Sequence, residues 1–179
     1  MSRMQERVKV GAVVWSAAAI YCLAFFVFYP SVITVIDESY YVREAVALAH
    51  GSLTVFHEDP LTGSSAWERP SDYPIGTSLL MAVFTRLFGW KGAFLVPLIG
   101  FVVVLWALAK WLAAAGRSSW HALALFFFPP ALIMGRVAMS DMPSAALMAT
   151  ALWLFWAGGT RPARWILAGL IAGVSVMFR

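Results

Sequence analysis

Residues 10–29 are twenty consecutive positions without a charged side chain, set between Lys9 and the acidic stretch that begins at Asp37. A helix rises about 1.5 Å per residue, so this run reaches about 30 Å, the thickness of a bilayer's hydrocarbon core. A secretory signal peptide carries a shorter apolar run followed by a small-residue cleavage site. Here the run ends in Phe28-Tyr29-Pro30, which predicts a retained first span. Similar apolar runs recur at 93–115, 119–135, 142–159 and 165–179, the third carrying Pro129-Pro130, where two backbone donors are missing. The expected fold class is therefore all-α, a polytopic transmembrane helical protein of about five spans.

Composition agrees with this and excludes other classes. The chain is 61% hydrophobic and 12% charged, whereas soluble domains run about 45–50% apolar and about 25% charged. The net charge of +4 is scattered between apolar runs, so no basic face for nucleic acid is expected. Cys22 is the only cysteine and lies inside the first run, which leaves no disulfide framework and no thiolate zinc site.

The polar residues collect in one long loop, 30–92. It holds seven of the nine acids: Asp37, Glu38, Glu44, Glu58, Asp59, Glu68 and Asp72. Within it, Val42, Ala45, Val46 and Ala49 have helical spacing, which predicts a short amphipathic helix over 38–50 ending at Gly51. Residues 75–88 are apolar, but 14 residues reach only about 21 Å, so an interfacial or re-entrant helix is expected. With 75–88 not crossing, seven cations (Arg3, Arg7, Lys9, Lys110, Arg117, Arg161, Arg164) fall on the N-terminal, cytoplasmic side. Five (Arg43, Arg69, Arg86, Lys91, Arg136) fall on the other, in the direction of the positive-inside rule. If 75–88 crosses, the split is six against six. The first arrangement also places Asp37 and Asp141 on the same outer face. Trp111 and Trp120 flank one short loop and Trp156 and Trp165 another, as expected at span ends.

Each polar residue in these positions has two readings. Asp37 is either the N-cap of the 38–50 helix, with Glu38 favouring its positive end, or a reactive carboxylate. Asp141 is either the N-cap of the fourth span, ahead of Pro143, or functional, as acids between membrane segments generally are. Arg136 and Arg69 are either ion-pair or solvated loop charges, or ligands for a phosphate, which a guanidinium matches in bidentate fashion. His57-Glu58-Asp59 lacks a second ligand pair at metal spacing. Gly169-x-x-x-Gly173 is a helix-packing signal.

Taken in order, these pieces resemble the N-terminal part of a GT-C membrane glycosyltransferase, of the protein O-mannosyltransferase and aminoarabinose-transferase superfamily. The resemblance rests on the first span and then Asp37-Glu38-x-x-Tyr41 with Ala45 and Gly51. Glu68-Arg69-Pro70 and the helix closing on Leu87-Phe88-Gly89 follow, then Arg136, Asp141-x-Pro143 and the Gly169-x-x-x-Gly173 span ending at Arg179. It departs from the family where Ser71-Asp72-Tyr73 separates Pro70 from Pro74, and in length, since relatives usually have more spans and the chain looks truncated. The resemblance implies a multi-pass cell-membrane enzyme that moves a sugar from a polyprenyl-phosphate donor to an acceptor on the extracytoplasmic face. It implies Asp37 and Asp141 as catalytic acids, Glu38 as a supporting acid, and Arg69, with Arg136, toward the donor phosphate. Protein, lipid and cell-wall glycan all remain open as acceptors. The acids suit a divalent cation such as Mg²⁺ or Mn²⁺, without a complete ligand set. The alternative is a non-enzymatic multi-span protein, a transporter or lipid-binding subunit, in which Asp141 lines a polar path.

Overall fold

A computed structural model describes residues 3–30, 32–58, 65–68 and 71–178. It is helical: α1 (Arg3–Val27), α2 (Ile36–Ala49), α3 (Ile75–Phe88), α4 (Leu95–Ala114), α5 (Pro129–Met134), α6 (Asp141–Trp156) and α7 (Pro162–Val176). A 3₁₀ turn, Trp90–Phe94, leads into α4, and a longer one, Ser119–Phe127, precedes α5. The strands among the described residues are β1 (Val55–Glu58) and β2 (Ser65–Glu68), an antiparallel hairpin pairing Val55 with Glu68 and Glu58 with Ser65. The sequence reading gave this part of the loop no structure, so the hairpin departs from a purely all-α expectation.

The stretch expected as one span over 119–135 is not a continuous α-helix. It runs as 3₁₀ helix to Phe127, breaks at Phe128 in an extended conformation, and restarts with Pro129 and Pro130 in the first turn of α5. Proline fits there because first-turn N–H groups lack intrahelical partners. Among the described residues one helical stretch, Trp90–Ala114, is long and apolar enough to cross a membrane. Gly11–Val27, Ile75–Phe88 and Pro162–Val176 are apolar but shorter.

The helix ends sort into two groups. At one end the Arg136 guanidinium donates to the Phe28 carbonyl, and the Tyr29 hydroxyl donates to the Lys91 carbonyl at 2.6 Å. Gly76 N–H donates to the Met177 carbonyl at 3.1 Å and the Thr77 hydroxyl to the Phe178 carbonyl at 3.3 Å. The first residues of α3 and the turn that follows it therefore both lie at this end, and α2 packs against α3 across it. At the opposite end the Trp111 and Trp156 rings sit 6.3 Å apart and the Ser119 hydroxyl donates to Ala109, so the two tryptophan-flanked loops share that end. Between them Phe101, Leu105 and Met142 form the apolar interior with Val14, Ala18 and Ala131.

Helix α3 turns its apolar side outward. Its buried positions are Gly76, Thr77, Ser78, Met81, Ala82 and Thr85, while Leu79, Leu80, Val83, Leu87 and Phe88 are exposed. A helix facing water does the reverse. Its small inner face admits close neighbours: a Cβ at Gly76 would collide with the Met177 carbonyl oxygen. By contrast, Gly169 and Gly173 meet nothing within 4 Å, so the glycine pair on α7 packs against no described part of this chain.

Gly76→Ala is expected to destabilise the protein by about 1–3 kcal/mol through this overlap, while Gly169→Ala changes stability by no more than about 1 kcal/mol in either direction. Denaturation in detergent micelles checks both, and equal effects at the two sites would contradict the α3–α7 junction.

Candidate functional site

Asp37 and Glu38 occupy the first turn of α2, and neither expected cap forms. The N-cap residue is Val35, with no side-chain capping bond. At α6 the N-cap is Ser140, also without one, and Asp141 is the first helical residue. Both aspartates still lie where the positive end of a helix favours a carboxylate, but their oxygens are not used as caps.

Glu38 has a different task from its neighbour. It is 1% exposed. Its Oε2 accepts from the Thr34 N–H at 2.7 Å and the Thr34 hydroxyl at 3.2 Å. Its Oε1 accepts from the Ala138 N–H at 2.7 Å. Reaching back to Thr34 from the third helical position resembles half of a capping box. Reaching to Ala138 ties the start of α2 to the connection between α5 and α6. Glu38 is therefore turned into the protein as a clamp.

The clamp brings Asp141 toward Asp37, and Tyr41 marks the meeting point. Tyr41 lies four residues after Asp37, on the same helix face. Its ring is buried, and Ser140, Asp141 and Asp37 all act on its hydroxyl. Burial above all, then Asp141, Asp37 and Glu44, holds its pKa above the ordinary 10.0 against the opposing effect of Ser140. Tyr73, from the turn before α3, stacks on Tyr41 with centroids 5.0 Å apart and planes at 25°. The Asp37 carboxylate above all, then burial, holds its pKa above the ordinary 10.0. Asp37 is half-buried and Asp141 exposed. Two carboxylates thus stand at one end of the bundle, each touched or flanked by a tyrosine.

The cations expected at the phosphate divide. Arg136 is engaged by α1: besides its bond to the Phe28 carbonyl it lies over the Phe25 ring, 6.0 Å from the centroid. A cation there neutralises the negative end of α1. Arg69 lies outside the described residues, as does Asp59. Among the described residues no group of three or more His, Cys, Asp or Glu side chains is arranged to hold a metal ion. Two carboxylates and phenol groups do not complete a Mg²⁺ or Mn²⁺ shell, so no step is routed through a metal.

Sequence reasoning missed Tyr73, Ser140 and Thr34. Tyr41 was legible from its four-residue offset to Asp37, and Thr34 from the same offset to Glu38. Nothing in the spacing of Tyr73 or Ser140 pointed to α2.

Glu38→Ala strands the buried Ala138 N–H, at about 1–3 kcal/mol, and frees the exposed Thr34 N–H. A loss of about 1–3 kcal/mol in detergent denaturation is expected, and a loss under about 0.5 kcal/mol would show that the clamp carries little. For Tyr73, whose pKa the Asp37 carboxylate raises above 10.0, the phenol stays protonated until the pH passes the raised value. The phenolate absorbance lost on Tyr73→Phe should accordingly titrate above the free tyrosine range. Comparison with family models, with curated proteins and with solved structures finds no match for this chain.

Proposed function

We propose that this chain forms the N-terminal part of a polytopic membrane glycosyltransferase that moves a sugar from a polyprenyl-phosphate donor to an acceptor on the extracytoplasmic face. The observation that carries the reading is the bond from the Ala138 N–H to Glu38, which joins the first turn of α2 to the segment before α6 and so brings Asp37 and Asp141 to one end of the helical bundle. The outward apolar face of α3 supports a lipid setting, as do the exposed Phe26, Phe127, Leu152, Phe155, Ile166 and Leu170 on other segments. An unpaired apolar surface of this extent is unfavourable in water and neutral in hydrocarbon. Both ends of α3 at the site end support an arrangement in which 75–88 lies along the interface and α1, α4, the Ser119–Met134 stretch, α6 and α7 cross.

In this reading Asp37 is the general base. It takes the proton of the acceptor hydroxyl as the acceptor oxygen bonds to the sugar's anomeric carbon. The bond from that carbon to the donor phosphate breaks, and polyprenyl phosphate leaves with the electron pair, giving inversion. Asp141, exposed at the first turn of α6, holds the acceptor or a sugar hydroxyl. Positive charge stabilises the leaving phosphate. Since Arg136 serves α1, that part falls to Arg69.

Asp37→Asn is expected to lower transfer by about 10²–10⁴-fold, the usual contribution of a positioned base, with membrane insertion unchanged. The assay uses the full-length protein in proteoliposomes with polyprenyl phosphates carrying mannose, glucose or aminoarabinose, and retained turnover would remove Asp37 from the mechanism. In a Cys22→Ser background, single cysteines at positions 37 and 141 should both react with a membrane-impermeant reagent from outside intact cells. Labelling from opposite sides would separate the two carboxylates and end the proposal.

A further inference from the structure

We infer that Arg86 and Lys91, at the end of α3, hold the phosphate of an anionic phospholipid whose acyl chains lie along the outward face of that helix. This rests on the reading of 75–88 as an interfacial helix and not on the sugar chemistry. The apolar part of the surface is Leu79, Leu80, Val83, Leu87 and Phe88, between 44% and 67% exposed. They recur at three and four residues, so they form one stripe, on the helix side opposite the buried Ser78, Met81 and Thr85. The charged part comes from the last turn and from the 3₁₀ turn that follows. Gly92 lies directly on α3, where a Cβ would collide with the Phe84 carbonyl oxygen. That close approach folds Trp90–Phe94 back against the helix, and it sets Lys91, the neighbour of Gly92, beside the turn that carries Arg86.

Both cations are exposed. The Arg86 guanidinium donates to the Ala49 carbonyl at 3.4 Å, and the Lys91 ammonium lies 5.8 Å from the centroid of the Trp90 ring. Among the described residues no carboxylate joins these contacts. The chain has no Asp or Glu between Asp72 and Asp141, so α3 and α4 supply no counter-ion. A guanidinium has five donors and an ammonium three, and most of them are left for an anion. The backbone beneath is held, since the Lys91 carbonyl accepts from the Tyr29 hydroxyl at 2.6 Å. An apolar stripe that ends in an exposed tryptophan and two cations follows the order of layers in a lipid: chains, interface, phosphate. Charge then selects the lipid. A zwitterionic headgroup brings its own ammonium, which the pair repels, whereas a phosphatidylglycerol headgroup brings only the negative phosphate. Soluble phosphate has no chains to cover the stripe.

The test reads the apolar stripe and the cations separately. In a Cys22→Ser, Val83→Cys background, the full-length protein carries a fluorescent label at position 83 and is reconstituted in phosphatidylcholine bilayers. Quenching is measured with tail-brominated phosphatidylcholine and with tail-brominated phosphatidylglycerol. Quenching by the first reports lipid on the face. The second should bind there about tenfold more tightly, since each cation near an anionic headgroup is worth about fivefold before salt screens it. Arg86→Gln/Lys91→Gln should bring the ratio to about one. Lys91→Gln alone, which leaves the Tyr29 bond to the backbone in place, should lower it about threefold, and Arg86→Lys should keep most of it. Quenching by phosphatidylcholine should stay constant throughout, which verifies that each variant is folded. Equal quenching by the two lipids in the wild-type pair overturns the inference, and so does a preference that survives in the double variant. Quenching by neither lipid would mean that another part of the full-length protein, or a second copy, covers the stripe. That result ends both this inference and the interfacial placement of 75–88. Loss of the glycosyltransferase reading in the transfer assay would leave the lipid preference unchanged.

Discussion

The buried carboxylate of Glu38 is the contact on which the arrangement of the site depends. An ionisable group taken out of water is unfavourable unless its oxygens are satisfied. Here they accept from Thr34 twice and from Ala138 once. The donors belong to segments that are distant in sequence and carry no regular structure at those residues, so they have no alternative partner in a helix ladder. Removing the carboxylate would leave both sides of the joint unsatisfied. That requirement fixes where α2 begins relative to the α5–α6 connection, and through it the distance between the first turns of α2 and α6. Asp37 and Asp141 sit in those two turns.

A second constraint is the reversal of polarity in α3. In water its leucines and valine would turn inward, and Thr77 and Ser78 would face out. Instead the two hydroxyl groups are buried and bonded, Ser78 to Tyr41 and Thr77 to Phe178. The small residues on the same face allow α7 to end against the start of α3, so donors at one helix's beginning meet carbonyls at another's end. The polar contacts of the helix are thus internal and its apolar contacts external. Such a helix is stable where its surroundings are apolar, and it brings Tyr73 and Tyr41 together on the inner side.

Much of this was legible in the chain, and the misses share a cause. Apolar length and helical spacing located α2 and α3 within one or two residues, because each follows from local pattern. The break at Phe128 was visible as Pro129-Pro130, but the prolines belong to the first turn of a new helix instead of bending an old one. The hairpin Val55–Glu58 with Ser65–Glu68 carried no clear alternation. At the site, the identities of Asp37, Glu38 and Asp141 were readable, yet their division of labour was not. Adjacent acids at successive helix positions point about 100° apart, and only tertiary packing decides which one faces inward. Ser140 and Tyr73 stayed hidden for the same reason: each acts on a residue of α2 from another segment, and no spacing rule links them.

The division between Asp37 and Glu38 also bears on why two acids stand side by side. A carboxylate that serves as a base must keep one oxygen exchangeable and reachable, while one that fixes a joint must have none. A single residue cannot meet both demands. With Glu38 bonded to Thr34 and Ala138, the joint does not use Asp37. In the proposed mechanism the neighbour therefore supplies the rigidity that a reacting carboxylate requires. The same logic accounts for Arg136: by meeting the carbonyl at the end of α1 it anchors that end of the first helix, two residues from the Ala138 N–H that Glu38 binds.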